Sequence, residues 1–288
     1  MASENKTSEC KTLNLSNSDL AVICMKNIDK SITSLNLYYC CKLTCLPAEI
    51  GQFSLLTSIN LSCCVKLTFL PAEIGRLSLL TSLNLSYCTQ LTCLPAEIGQ
   101  LRLLNLLDLN YCVQLTCLPA EIGQLKLLTS LDLNWCRELT YLPAELGQLK
   151  LLPTLNLSRC YNLTCLPAEL GQLKLLSSLD LSSCYNISCL PVELVNLRNL
   201  TNFYSIGCNL LVPELIGDSV DIIHKTLLEH FLADVTPWSR STSHSFNNLI
   251  ASALLGINRT VTDFDIDPEL LEETFTRFRK CDRCIYSE

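Results

Sequence analysis

The side chains best able to do chemistry in this chain are its cysteines: 19 in 288 residues, beside 3 histidines. Thiols act as disulfide partners, soft-metal ligands or nucleophiles, and each use demands its own surroundings and spacing. Cys281 and Cys284 form a C-x-x-C pair, half of what a zinc site needs. His224, His230 and His244 are the other candidate ligands, and none stands at a telling distance. The pair therefore reads as an unremarkable tail, with a zinc site or redox activity as the alternatives. No H-E-x-x-H, G-x-S-x-G or phosphate-cradling glycine loop occurs. No catalytic residue, cofactor or metal is therefore expected, and the chain reads as a non-enzyme.

Disulfide frameworks belong to short secreted chains with even cysteine counts. This chain is long and its count is odd. Its first residues, MASENKTSECKTLNLSNSDL, hold no apolar signal core. Glycan-acceptor triplets such as Asn60-Leu61-Ser62 and Asn84-Leu85-Ser86 recur along it, which a secreted protein would carry as glycans. Reduced thiols in a cytoplasmic protein are the simpler expectation. A net charge of −7 without a basic face excludes a general nucleic-acid binder. The lack of an 18-residue apolar run excludes a membrane-inserted helix. No small-molecule substrate is expected.

The elements that position the thiols come from a repeat. Leu56, Leu80, Leu104, Leu128, Leu152, Leu176 and Leu200 are 24 residues apart, and Ile32 begins the copy before them. The shared pattern is LxxLxLxxCxxLxxLPxEIGxLxx. Its LxxLxL part alternates with period two, the mark of a short strand with one buried face. So short and one-sided a strand is unstable alone, but parallel copies stacked ~4.8 Å apart bury it. The proline after each fifteenth-position leucine, as at Pro95, can open a helical or 3-10 turn. A glycine such as Gly99 can then end it. Strands pack more closely than turns, so the stack should curve with its sheet inside.

These columns resemble the leucine-rich repeat. Cys at the ninth position and Leu-Pro near the sixteenth are similar to repeats of plant intracellular immune receptors. LPAEIGQL also resembles Ras-pathway scaffold proteins. The resemblance covers about residues 32–217. It implies an α/β solenoid: a horseshoe with a parallel β-sheet on the concave face, short turns or 3-10 helices on the convex face, and a protein partner on the concave face. The nucleotide-binding and kinase domains of larger members are absent from this sequence.

The ninth-position column runs from Cys40 through Cys88, Cys112 and Cys136 to Cys208. A small buried thiol there can donate a weak S–H bond to a backbone carbonyl. A second column, Cys45, Cys93, Cys117, Cys165 and Cys189, is interrupted by Phe69 and Tyr141, which suggests packing and not metal ligation.

Columns that stay constant serve the stack, so recognition should lie in those that vary. The fifth position holds Asn or Asp through Asp180. The eighth reads Tyr39, Cys63, Tyr87, Tyr111, Trp135, Arg159, Ser183 and Gly207. Strand alternation would aim both columns at the concave side. Tyr, Trp and Arg are the common anchors of protein interfaces. The candidate docking patch is Tyr87, Tyr111, Trp135 and Arg159, with Asp108 and Asp132 beside them to pair with a basic residue of the partner. The alternative is that stacked aromatics only stiffen the sheet. The Glu49-to-Glu193 row and the Lys126, Lys150 and Lys174 row read as a solvated outer face.

Residues 1–31 read as an N-terminal cap with a degenerate first repeat around Cys10, Leu13 and Leu15, and 32–217 as the solenoid. Residues 218–288 read as a helical C-terminal region, with Val220, Ile223, Leu227 and Phe231 at helical spacing and a helix start at Asp267-Pro268-Glu269. The expected function is binding of a protein partner, in intracellular signalling or immune-type recognition. The alternative is an adaptor whose C-terminal helices recruit a second protein, such as a signalling enzyme or ubiquitin-ligase component.

Overall fold

The computed structural model describes residues 11–18 and 28–209. The C-terminal region 218–288, with Cys281, Cys284 and the three histidines, lies outside the described residues, as does Cys10.

Nine parallel strands form one sheet in sequence order. They are β1 (Thr12–Asn14), β2 (Ser34–Asn36), β3 (Ser58–Asn60), β4 (Ser82–Asn84), β5 (Leu106–Asp108), β6 (Ser130–Asp132), β7 (Thr154–Asn156), β8 (Ser178–Asp180) and β9 (Asn202–Tyr204). Each is three residues long with its middle residue turned inward. Those middle residues stack in register, Leu35 on Ile59, Leu83, Leu107 and so on to Phe203. The fourth, sixth, ninth and twelfth positions of the inner repeats, for example Leu83, Leu85, Cys88 and Leu91, are fully buried in one continuous core. A one-residue slip would turn every strand leucine to water, so this pattern fixes the register. β1 pairs with β2, and Leu13, Leu15 and Ile28 pack against the end of the core.

On the opposite limb each repeat makes a five-residue 3-10 helix, such as Ala96–Gln100 and Ala120–Gln124. Two sequence expectations change here. The proline stands just before the helix, in extended geometry (Pro95 φ −69°, ψ 149°), and its carbonyl accepts the first turn's bond from Ile98 N–H at 3.0 Å. The glycine lies inside the helix, and Leu101 caps it. Glycine is there because the next repeat is so close: a Cβ on Gly99 would stand 2.6 Å from the Glu121 carbonyl oxygen.

Hydrogen bonds also climb from repeat to repeat outside the strands. Thr81 N–H and Oγ1–H both donate to Thr57 O, at 2.8 and 2.9 Å. Thr116 N–H donates to Thr92 O at 3.1 Å on the far side of the coil. Every repeat thus gives its neighbour both apolar surface and satisfied backbone, which is how a stack of units that are unstable alone holds together.

Candidate protein-interaction surface

The eighth-position side chains do not stand on the strands. β4 ends at Asn84; Leu85 and Ser86 follow, and Tyr87 then sits in the left-handed region at φ 59°. Tyr111 (63°), Trp135 (62°) and Arg159 (62°) repeat that conformation. Strand alternation therefore does not place this column; a turn just beyond the strand does. Each turn is held from the neighbouring repeat, since Tyr87 N–H donates to Asn110 O at 2.7 Å and Tyr111 N–H to Asn134 O at 2.8 Å.

The turn stacks the rings along the rim of the sheet. Tyr87 and Tyr111 lie parallel with centroids 4.8 Å apart. Tyr111 and Trp135 follow at 4.9 Å, and Trp135 and Tyr161 at 6.0 Å with the rings steeply tilted. Tyr161 and Tyr185 close the row at 5.2 Å. The Arg159 guanidinium lies 4.7 Å from the Trp135 centroid, and that of Arg137 4.4 Å from it. Four of the six sequence candidates, Tyr87, Tyr111, Trp135 and Arg159, are thus contiguous.

Arg137, Tyr161 and Tyr185 were missed by the sequence reading. They occupy the tenth position, straight after the ninth-position cysteine, where the row crosses over from the eighth column at Trp135. The signal was Cys-Arg in one repeat and Cys-Tyr in two others; an argument confined to strand alternation passes over it.

Asp108 and Asp132 have another task. One oxygen of Asp108 accepts the Asn110 N–H at 3.0 Å, and one of Asp132 accepts the Asn134 N–H at 2.9 Å. Asn36, Asn60, Asn84, Asn156 and Asp180 make the same bond two residues on. These are Asx turns, which steer the chain out of the strand into the left-handed residue. The restriction of this column to Asn and Asp was the readable sign. Burial raises both carboxyls above the usual carboxylate range, against the pull of those N–H bonds; Asp132 adds to the rise at Asp108.

The ninth-position thiols are internal. Cys88 donates to Leu61 O, Cys112 to Leu85 O and Cys160 to Leu133 O, each at 3.2 Å. The second cysteine column sits near the surface instead of in the core: Cys93 is exposed, and Phe69 and Tyr141, which interrupt the column, are about half exposed. Among the described residues no group of three or more His, Cys, Asp or Glu could hold a metal ion, and no helix is long and apolar enough to cross a membrane. Flat rings, phenol hydroxyls and guanidiniums are recognition groups, and this row is where the described surface concentrates them.

No protein-family model matches the chain, and no curated protein matches it. Solved structures do. A chain of the Toll–Spatzle complex of Drosophila aligns at 23% identity with TM-score 0.54, over 69% of this chain and 27% of that one. A leucine-rich-repeat protein of Leptospira interrogans aligns at 29% identity with TM-score 0.48, over 72% of this chain and 63% of that one. The chain thus spans less than two thirds of either.

Proposed function

We propose that this leucine-rich-repeat chain is a non-catalytic interaction module that binds a protein partner along the aromatic row Tyr87–Tyr111–Trp135, in intracellular signalling or immune-type recognition. Its fold is the leucine-rich-repeat solenoid, carried by the 24-residue period, the parallel register and the 3-10 limb. One observation supports the binding reading above the rest: Tyr, Trp and Arg occupy a left-handed turn in successive repeats. A side chain with a Cβ costs about 1–2 kcal/mol in that conformation. Asn17 and Gly207 fill the same turn at the two ends of the stack, and both residue types tolerate it well. Bulky residues kept where small ones fit better point to a task beyond folding. The patch is also rich in the residue types that anchor interfaces.

The test is affinity capture from cell extract with three forms of the protein: unchanged, Tyr111→Ala with Trp135→Ala, and a control with Glu121→Ala and Lys126→Ala on the opposite limb. A partner held by the first and third forms and lost by the second supports the row. Equal capture by all three removes it.

A further inference from the structure

Within the row, charge is concentrated at one ring. Arg137 and Arg159 place their guanidinium carbons 4.4 and 4.7 Å from the Trp135 centroid, so the two cations lie within about 9 Å of each other. Arg137 also lies 5.5 Å from the Tyr161 ring. Among the described residues neither arginine takes part in an ion pair; the pair found there is Lys11 with Asp29, elsewhere on the molecule. Glu138, the nearest carboxylate in sequence, accepts from Asn162 Nδ2 at 2.9 Å instead. Arg137 Nε is buried with no hydrogen-bond partner.

The indole face attracts each guanidinium, but the two repel one another, and a buried N–H without an acceptor is costly. One compact anion held by both guanidiniums would relieve the repulsion between them. The carboxylates expected to serve this surface point to the opposite polarity, yet Asp108 and Asp132 are half-buried and each commits an oxygen to its own turn. Both carboxylates keep their charge there, but neither forms an ion pair with Arg137 or Arg159, so the ring row itself presents two unpaired guanidiniums.

Resting on the docking reading above, we infer that Trp135, Arg137 and Arg159 form a pocket for a phosphorylated side chain of the protein partner. Two cations are matched by a phosphomonoester carrying about −1.5 to −2 at neutral pH, whereas a single carboxylate leaves one unpaired. A long acidic run would meet repulsion from a chain of net charge −7. A compact dianion meets the two forks with the least of it.

The test uses the full chain with Trp238→Phe, which leaves Trp135 as the indole that reports, since the sequence holds 2 tryptophans. Its fluorescence is followed while Gly-Phe-pSer-Phe-Gly, the Ser and Glu versions of that peptide, inorganic phosphate, or sodium chloride at matched ionic strength is added. Saturable binding of the phosphopeptide, at least tenfold tighter than the Glu peptide and lost by at least tenfold in Arg137→Gln/Arg159→Gln, supports the pocket. Equal binding of the Glu peptide, or a response that sodium chloride reproduces, overturns it. So does phosphopeptide affinity unchanged in the double Gln form. Circular dichroism of the Gln form checks that it folds. If the peptide arm fails while row-dependent capture persists, this pocket falls alone; if capture fails, the docking reading falls.

Discussion

The Sγ of Cys112 donates to the carbonyl oxygen of Leu85 at 3.2 Å, reaching back from one repeat to the one before. Cys112 is fully buried, and its counterparts from Cys40 to Cys208 make the same bond. The column is a hydrogen-bonded seam inside the core. Cys112→Ala removes one of the two donors to the Leu85 carbonyl, which keeps the Cys88 N–H at 3.1 Å, and leaves a small void, so a loss of about 1–2 kcal/mol is expected from urea unfolding. The same change at Cys208, which is only partly buried, should cost less.

Burial, the largest cause in every case, pushes the Cys64, Cys112 and Cys184 thiols up to about 12, and Cys88, Cys136 and Cys160 well above the ordinary thiol range. In the unfolded chain a thiol loses its proton near ~8.5. Above that pH the unfolded state binds fewer protons than the folded one, so stability falls as pH rises. The contribution is complete below about pH 8.5 and is lost toward the folded values, at up to about 1.4 kcal/mol per pH unit for each buried thiol. The urea midpoint should therefore be level from pH 7 to 8 and drop steeply between pH 9 and 11. Cys112→Ser with Cys136→Ser should flatten that drop. An unchanged slope in the double Ser form would mean that these thiols do not set it.

Gly123 carries a separate prediction. A Cβ there would come 2.5 Å from the Glu145 carbonyl oxygen, and backbone cannot swing aside as a flexible side chain can. Gly123→Ala should cost about 2 kcal/mol or more, although glycine-to-alanine changes inside helices ordinarily stabilise. Denaturant unfolding would show the sign directly.

What the sequence revealed was whatever the 24-residue period forces. Leu83, Leu107 and Leu131 had to share one interior, the strands had to run parallel, and a small thiol in the ninth column had a carbonyl within reach. What it hid depended on contacts between repeats. Gly99 looks like a helix stop in the local grammar of turns, and only the next repeat's Glu121 carbonyl shows why it has no side chain. Tyr87 looked like a strand residue because apolar alternation says nothing about φ. Yet Gly207 and Asn17 in the same column were a sign of left-handed backbone, and the run of Asn and Asp three positions earlier was its partner. Arg137 escaped because the row changes columns at Trp135, and no single column follows a diagonal.

Stiffening and docking, the two readings of the aromatic row, separate at Tyr111. Its ring stacks on Tyr87 and Trp135, contacts worth about 0.5–1.5 kcal/mol each. Its backbone at φ 63° works against it by about 1–2 kcal/mol. Asparagine gives up the stacking and relieves much of the strain, as Asn17 illustrates at φ 56°. Tyr111→Asn should therefore change the unfolding free energy by no more than about 1 kcal/mol. If the row exists to stiffen the sheet, hydrogen exchange of the neighbouring turn amides should speed up markedly while partner capture stays constant. If the row is a docking surface, capture should fall at least tenfold with exchange nearly unchanged, because the amides that close the turn, Tyr87 to Asn110 and the one at position 111 to Asn134, donate through the backbone and survive the substitution.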